Sequence, residues 1–355
     1  MTNTRNFPSH PQFLDCSRSI DKKNVSIKKT DLQGLLEKLS AHRTLVGPVD
    51  TGKVVEFRPA TTSEILTDDR VSYKSMKEFY FPQVERMFTF ADGEVADNTQ
   101  IPSHLIFGAR PCDLEGLRVM SKVFMDGKYV DSFFQRRYEA NFIIGVGCLK
   151  EKVGCFCGQL GIDREFSDFC DMMLVDAGES YIIKHLSEKG KEALSQHSLQ
   201  LDLEELSHSK TPLPNPLKGD KIAFNLEISD RTYFDVIDWE KAVETCLGCG
   251  LCSFICPTCH CFDFKDVQDK GQVNRYKCWD SCIYPKFTLH ASGHNPREQL
   301  WERYRQRVLH KFKYVPTNVE LTACTGCGRC IRSCPVGMNI EAIAKEIVKQ
   351  ASMEV

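Results

Sequence analysis

The sequence predicts a mixed domain of α/β or α+β type over residues 1–230, followed by a cysteine-rich, largely α-helical domain over residues 231–355. Three observations lead there. At 355 residues with 42% apolar content, the chain is longer than one domain usually is. Its 18 cysteines are unevenly placed, most of them in tight groups. Between the two halves, residues 207–219 carry Pro212, Pro214 and Pro216 in polar company, the composition of a linker.

In the first half, Thr30-Asp31-Leu32-Gln33 has the form of a capping box, opening a short helix through Leu39. Two β-prone runs, residues 44–49 and 54–59, flank a Thr51-Gly52 turn. Leu105-Ile106-Phe107 reads as a buried strand feeding a helix over residues 113–124. In that helix Leu114, Leu117, Val119, Met120 and Val123 are spaced for one apolar face. Residues 142–146 read as a second buried strand. Strands followed by helices predict α/β layering. The second half opens near Thr232 and holds a basic amphipathic helix over residues 297–313. Trp301, Tyr304, Val308 and Phe312 form its apolar stripe, and Arg303, Arg305, Arg307 and Lys311 fill its other faces. A last helix runs from Ile340 to about Gln350, with Ile343, Ile347 and Ala351 on one side.

Several function classes fall away. A formal net charge of −2 argues against nucleic acid as the main partner. No apolar run approaches the roughly 18 residues that a membrane span needs. The first ten residues are polar and lack an apolar core, so no secretory signal is expected and the expectation is a cytoplasmic protein. No Gly-x-Gly-x-x-Gly follows a strand, and no Gly-Lys-Ser/Thr phosphate loop, serine nucleophile elbow or nickel-binding cysteine pattern appears. Neither flavin nor NAD is therefore expected in this chain.

The cysteines carry the chemistry. Disulfide scaffolds are short and secreted; in a reducing compartment grouped thiols bind metal. Cys246-x2-Cys249-x2-Cys252-x3-Cys256-Pro257 is repeated with identical spacing as Cys324-x2-Cys327-x2-Cys330-x3-Cys334-Pro335. Three thiols two residues apart wrap one cube of iron and sulfide from a single turn, and the fourth reaches the neighbouring cube. The expected ligand sets are Cys246, Cys249, Cys252 and Cys334 for one 4Fe-4S cluster, and Cys324, Cys327, Cys330 and Cys256 for the other. Zinc sites use two separated pairs instead. The long, helix-bearing insertion between the motifs points to an α-helical ferredoxin-like dicluster domain. The basic helix within it is expected to offset the anionic clusters or to dock an acidic partner.

Further segments join these motifs in a resemblance. Gly108-Ala109-Arg110-Pro111-Cys112-Asp113, Gly147-Cys148, Gly154-Cys155-Phe156-Cys157-Gly158, Cys256-Pro257-Thr258-Cys259-His260-Cys261-Phe262-Asp263 and Cys278-Trp279-Asp280-Ser281-Cys282 together resemble one family. It is that of the β subunits of cytoplasmic sulfhydrogenases and the dicluster electron-transfer subunit of anaerobic sulfite reductase, over residues 81–336. The resemblance implies an electron-transfer subunit of a soluble oxidoreductase complex in anaerobic metabolism. Its partners would be a catalytic subunit of hydrogenase, sulfite reductase or heterodisulfide-reductase-like type and a flavin- and NAD(P)-binding, diaphorase-like subunit.

The other cysteines leave alternatives open. Cys112, Cys148, Cys155 and Cys157 lie near strand ends of the first domain, where loops could gather them into a third 4Fe-4S site, a zinc site or a group of reduced thiols. Cys259, Cys261, Cys278 and Cys282 could hold a further cluster or zinc, or pack as small apolar groups. Cys16 and Cys170 read as buried apolar residues. His260, His290 and His294 could be ligands, but solvent-facing or capping roles are the stronger reading for each. Two functions therefore stand: an electron-transfer subunit, or a self-contained reductase that uses a cluster of the first domain on its substrate.

Overall fold

A computed structural model describes residues 25–97, 99–196, 222–224 and 230–352. Cys16 and the linker at 207–219 lie outside the described residues. The strands are β1 (Val25–Lys28), β2 (Thr44–Asp50), β3 (Val55–Pro59), β4 (Val84–Ala91), β5 (Glu94–Ala96), β6 (His104–Ala109), β7 (Phe142–Val146), β8 (Met172–Asp176), β9 (Ser180–Leu186), β10 (Phe262–Asp269) and β11 (Gln272–Trp279). The helices of the first half are α1 (Leu32–Leu39), α2 (Pro111–Met125), α3 (Ser132–Ala140) and α4 (Glu188–Gln196).

Seven strands form one mixed sheet in the order β1-β9-β8-β7-β6-β2-β3. Its centre, β8-β7-β6-β2, is parallel, and the flanking strands are antiparallel. Parallel strands covered on both faces need apolar side chains on both. Here Leu105, Phe107, Phe142, Ile144, Met172 and Leu174 enter one core, beneath α1. Ile106, Ala109, Ile143 and Met173 enter the other, beneath α2. The α/β layering expected from the sequence is present. The start of α1 differs from expectation: a 3₁₀ turn, Lys29–Asp31, precedes it, and the Thr30 hydroxyl donates to Asp31 Oδ1 (3.0 Å) rather than capping the helix. Pro111, which lacks an N–H, opens α2 at its first position.

The second half holds α5 (Asp230–Asp235), α6 (Trp239–Ala242), α7 (Leu251–Phe254), α8 (Leu300–Leu309), α9 (Val315–Val319), α10 (Arg329–Arg332) and α11 (Ile340–Ala351), with a π turn, His310–Tyr314, between α8 and α9. It is not wholly helical. The insertion between the cysteine motifs also forms the hairpin β10–β11, turned through Lys270 (φ 47°) and Gly271 (φ 83°). This hairpin joins β4 and β5 in a four-stranded sheet, β10-β11-β4-β5, so strands from both sides of the expected boundary share one sheet. Phe156, from the first half, likewise packs in the second core with Tyr304, Val308 and Ile340.

Charge locks the shared sheet. Lys277 on β11 lies opposite Glu85 on β4; its ammonium is 2.9 Å from Glu85 Oε2, and Arg137 of α3 donates to Oε1 at 2.7 Å. Asp131, which caps α3 by accepting from Phe133 N and Phe134 N, also meets Lys277 at 3.3 Å. The Glu85 side chain is 1% exposed, and removing one member of such a network strands the other charges. Glu85→Ala is expected to destabilise the fold by about 3–5 kcal/mol. A shift in the denaturation midpoint checks this, and an unchanged midpoint would contradict it.

Candidate metal centre

The two motifs fold alike. Gly248 (φ 64°) and Gly250 (φ 73°) lead into α7, and Gly326 (φ 57°) and Gly328 (φ 69°) lead into α10. Left-handed backbone at both places in a three-residue step favours glycine. Turns of this kind line up N–H groups around a concavity suited to anionic sulfur. Cys252 and Cys330 ride on the short helices, while Cys256 and Cys334 follow them.

Helices α7 and α10 lie against each other, and this crosses the motifs. Cys334 lines one cavity with Cys246, Cys249 and Cys252, and Cys330 and Arg307 form part of its wall. Cys256 is buried where its charge is felt by Cys324 and Cys330. Cys334 thus stands with the first motif's three, and Cys256 stands near Cys324 and Cys330. Burial pushes the Cys324 thiol up to about 12 and raises Cys246, Cys252 and Cys330. Cys256 moves the opposite way. A hydrogen bond from Cys259 holds it well below the usual thiol range, and Lys311 and Arg307 add to the effect.

The four thiols of the first half also face one cavity. Cys112 stands in the first turn of α2, just past β6, and Cys148 stands just past β7. Both are therefore at the carboxyl ends of adjacent parallel strands, where open α/β sheets bind ligands. With Cys155 and Cys157 they line one cavity, and Cys327 of the second motif closes its wall. Burial raises Cys112 and Cys148 and pushes Cys157 up to about 12. Cys155 Sγ lies 3.4 Å from the Cys327 carbonyl and 3.4 Å from Arg332 Nη1. Cys327 adjoins this set and Cys330 adjoins the outer cavity, so the Cys324 set lies between the other two.

The remaining cysteines do not converge as a foursome. Cys259 pairs with Cys256, and Cys261 pairs with Cys282. Cys278 stands on β11 opposite Asp263 and Val84. Cys170 is buried, as expected. His290 and His294 are exposed. His260 is neither solvent-facing nor a cap: it packs edge-on against Phe124 and holds the Thr258 carbonyl at 2.9 Å.

The basic helix also departs from expectation. Arg303, Arg307 and Lys311 recur four residues apart and point inward, because carbonyls and thiols await them there. Arg303 donates to the Ile283 and Arg297 carbonyls, Arg307 to Cys259 Sγ (3.3 Å) and the Cys252 carbonyl (2.9 Å), and Lys311 to Cys256 Sγ (3.2 Å). Sequence reasoning also missed Lys77, whose ammonium reaches the Cys259 carbonyl at 2.9 Å from 182 positions away. Burial pushes Lys77 down to about 8, opposed by Cys259 and Cys256. Nor did it pair Arg329, inside the second motif, with Asp113, beside Cys112. They meet at 2.8 and 2.9 Å with side chains 1% and 0% exposed.

The family described as "4Fe-4S dicluster domain" matches residues 245–338. The chain is 29% identical over 310 residues to Sulfhydrogenase 2 subunit beta of Pyrococcus furiosus, covering 85% of this chain and 91% of that protein. No solved structure matches. Among the described residues no helix is long and apolar enough to cross a membrane.

The packing of the sites gives a differential test. A Cβ on Gly326 would lie 2.5 Å from the Cys157 backbone nitrogen, whereas on Gly248, with similar φ, the nearest atom is Leu300 Cδ1 at 3.5 Å. Gly326→Ala is expected to be the more destabilising of the two by roughly 1–3 kcal/mol, the usual range for overpacking. Parallel thermal melts check it, and equal losses would contradict it.

Proposed function

We infer, from its belonging to the sulfhydrogenase β-subunit family, that the chain is the iron–sulfur electron-transfer subunit of a soluble, cytoplasmic oxidoreductase complex. It relays single electrons between a catalytic subunit of hydrogenase, sulfite reductase or heterodisulfide-reductase-like type and a flavin- and NAD(P)-binding, diaphorase-like subunit. The observation that carries this reading is the crossing of the motifs, with Cys334 lining the cavity of Cys246, Cys249 and Cys252. Cys246, Cys249, Cys252 and Cys334 hold an outer cluster in a ferredoxin-like helical setting. Cys324, Cys327, Cys330 and Cys256 hold an inner one, and Cys112, Cys148, Cys155 and Cys157 hold a third. Each 4Fe-4S cluster supplies one-electron exchange when bound.

The chain's own residues suit that occupant. Arg307 and Lys311 are 2% and 3% exposed, and the groups that face them belong to cysteines: Arg307 lies against Cys259 Sγ and the Cys252 carbonyl, and Lys311 against Cys256 Sγ. A buried cation needs a counter-charge, and thiolate-ligated clusters supply one. The backbone N–H groups of Gly248 and Gly326 face the Cys246 and Cys324 sulfurs. Cys249 is exposed and Leu247 beside it is 64% exposed, which opens the outer site to a partner.

Two outcomes follow. Cys334→Ser should lose iron from the set of Cys246, Cys249 and Cys252 while the neighbouring set keeps its EPR signal; loss at the neighbour would overturn the crossed assignment. NAD(P)H delivers two electrons as hydride, so a flavin must stand before one-electron carriers, and that flavin is assigned to another subunit. The purified chain should bind about twelve irons, take electrons from dithionite and oxidise no NAD(P)H until a flavoprotein is added. Stoichiometric flavin, or pyridine-nucleotide turnover by the chain alone, would favour the self-contained reductase.

A further inference from the structure

Three cations are buried at the seam between the two motifs, and all three converge on residues 256–261. Lys311 donates to Cys256 Sγ at 3.2 Å, to Thr258 Oγ1 at 2.8 Å and to the Ala323 carbonyl at 3.0 Å. Arg307, one turn earlier, donates to Cys259 Sγ at 3.3 Å. Lys77 arrives from the first half, with its ammonium on the Cys259 carbonyl and 3.9 Å above the Trp279 ring. Lys311 also belongs to the π turn His310–Tyr314, and single π turns inside helices concentrate at functional sites.

The three do not serve both motif sites equally. Arg307 faces each of them, reaching the Cys252 carbonyl of the outer set as well as Cys259. Lys311 contacts the sulfur of Cys256, the fourth thiol of the inner set, and is fully enclosed. The outer site has an exposed thiol, Cys249, so water screens it. Reduction adds one negative charge to a site. A fixed cation in a water-poor interior favours that charge more than the same cation near solvent does. A hydrogen bond to a ligand sulfur acts in the same direction.

We propose that Lys311, supported by Arg307 and Lys77, raises the reduction potential of the site formed by Cys324, Cys327, Cys330 and Cys256, so that of the two motif sites the inner one fills with an electron first. This rests on the cluster reading above. Lys311 is a positioning residue in the sense that it sets the charge and touches no partner or substrate. Lys77 extends the arrangement across the molecule, because a residue of the first half then adjusts a site of the second.

An EPR-monitored redox titration of the full-length, cluster-loaded protein tests it, with the inner signal assigned by its loss in Cys324→Ala. The inner site should have the more positive midpoint. Lys311→Met should shift its equilibrium at least tenfold toward the oxidised form, about 59 mV for a one-electron couple, while Lys311→Arg retains most of the native value. Lys77→Met, which removes charge without touching a sulfur, should move the inner midpoint in the same direction by less, and it decides the matter if Lys311→Met loses its cluster. A Lys311→Met protein with both signals present and the inner midpoint unmoved overturns the proposal, as does Lys311→Arg shifting as far as Lys311→Met. A wild-type chain with no reducible signal would instead remove the cluster reading itself.

Discussion

The ion pair between Arg329 and Asp113 is the contact on which the arrangement of the sites depends. Arg329 belongs to the second cysteine motif and Asp113 to the first turn of α2, one residue after Cys112. Both side chains are almost fully buried, and the guanidinium also donates to the Ser72 carbonyl and hydroxyl. In such an enclosed place either partner alone would be a stranded charge, so the loop of the second motif and the start of α2 are held as one piece. Two close approaches follow from this. Gly326 comes against the Cys157 backbone, and Gly116 of α2 leaves room for Pro257, where a Cβ would lie 2.6 Å from the proline ring. The helix that presents Cys112 therefore also supports the segment that presents Cys256.

Much of this was legible in the sequence, for identifiable reasons. The spacing of the two motifs is a covalent constraint, so it survives any uncertainty about the fold. The strands at 105–107 and 142–146 are apolar on both faces, which marks parallel strands covered on both sides, and the apolar stripe of α2 followed from its period. The two hairpins of the four-stranded sheet were missed although both carry a signal. Asp92-Gly93 and Lys270-Gly271 each combine two positive φ angles, the geometry of tight primed hairpin turns. Phe262-Asp263-Phe264-Lys265 alternates as a strand should. The flanking cysteines drew the whole insertion into a helical reading.

The inward-facing basic residues were not legible in the same way. Helical periodicity assigns arginine and lysine to solvent because water is normally their best environment. Arg303, Arg307 and Lys311 break that rule because their counterparts are carbonyls and sulfur, which no charge pattern in the sequence reveals. Lys77 had no signal at all, since its partner is a backbone carbonyl far along the chain. The grouping of Cys112, Cys148, Cys155 and Cys157 was legible as a set because adjacent strand ends bring loops together. That Cys327 closes the same cavity was not, since it depends on how the two halves meet.

The shared four-stranded sheet also bears on how the chain comes off the ribosome. Strand β4 can pair with β5 as soon as both have emerged, but its other edge waits for β11, which ends at Trp279. At typical synthesis rates that interval is roughly ten to forty seconds. During it the nascent chain exposes an unpaired strand edge, together with Glu85 and Arg137 lacking their lysine. Until the hairpin docks, nothing holds Lys77 near Cys259. Cys324, Cys327 and Cys330 emerge later still, after the last strand of that sheet is complete.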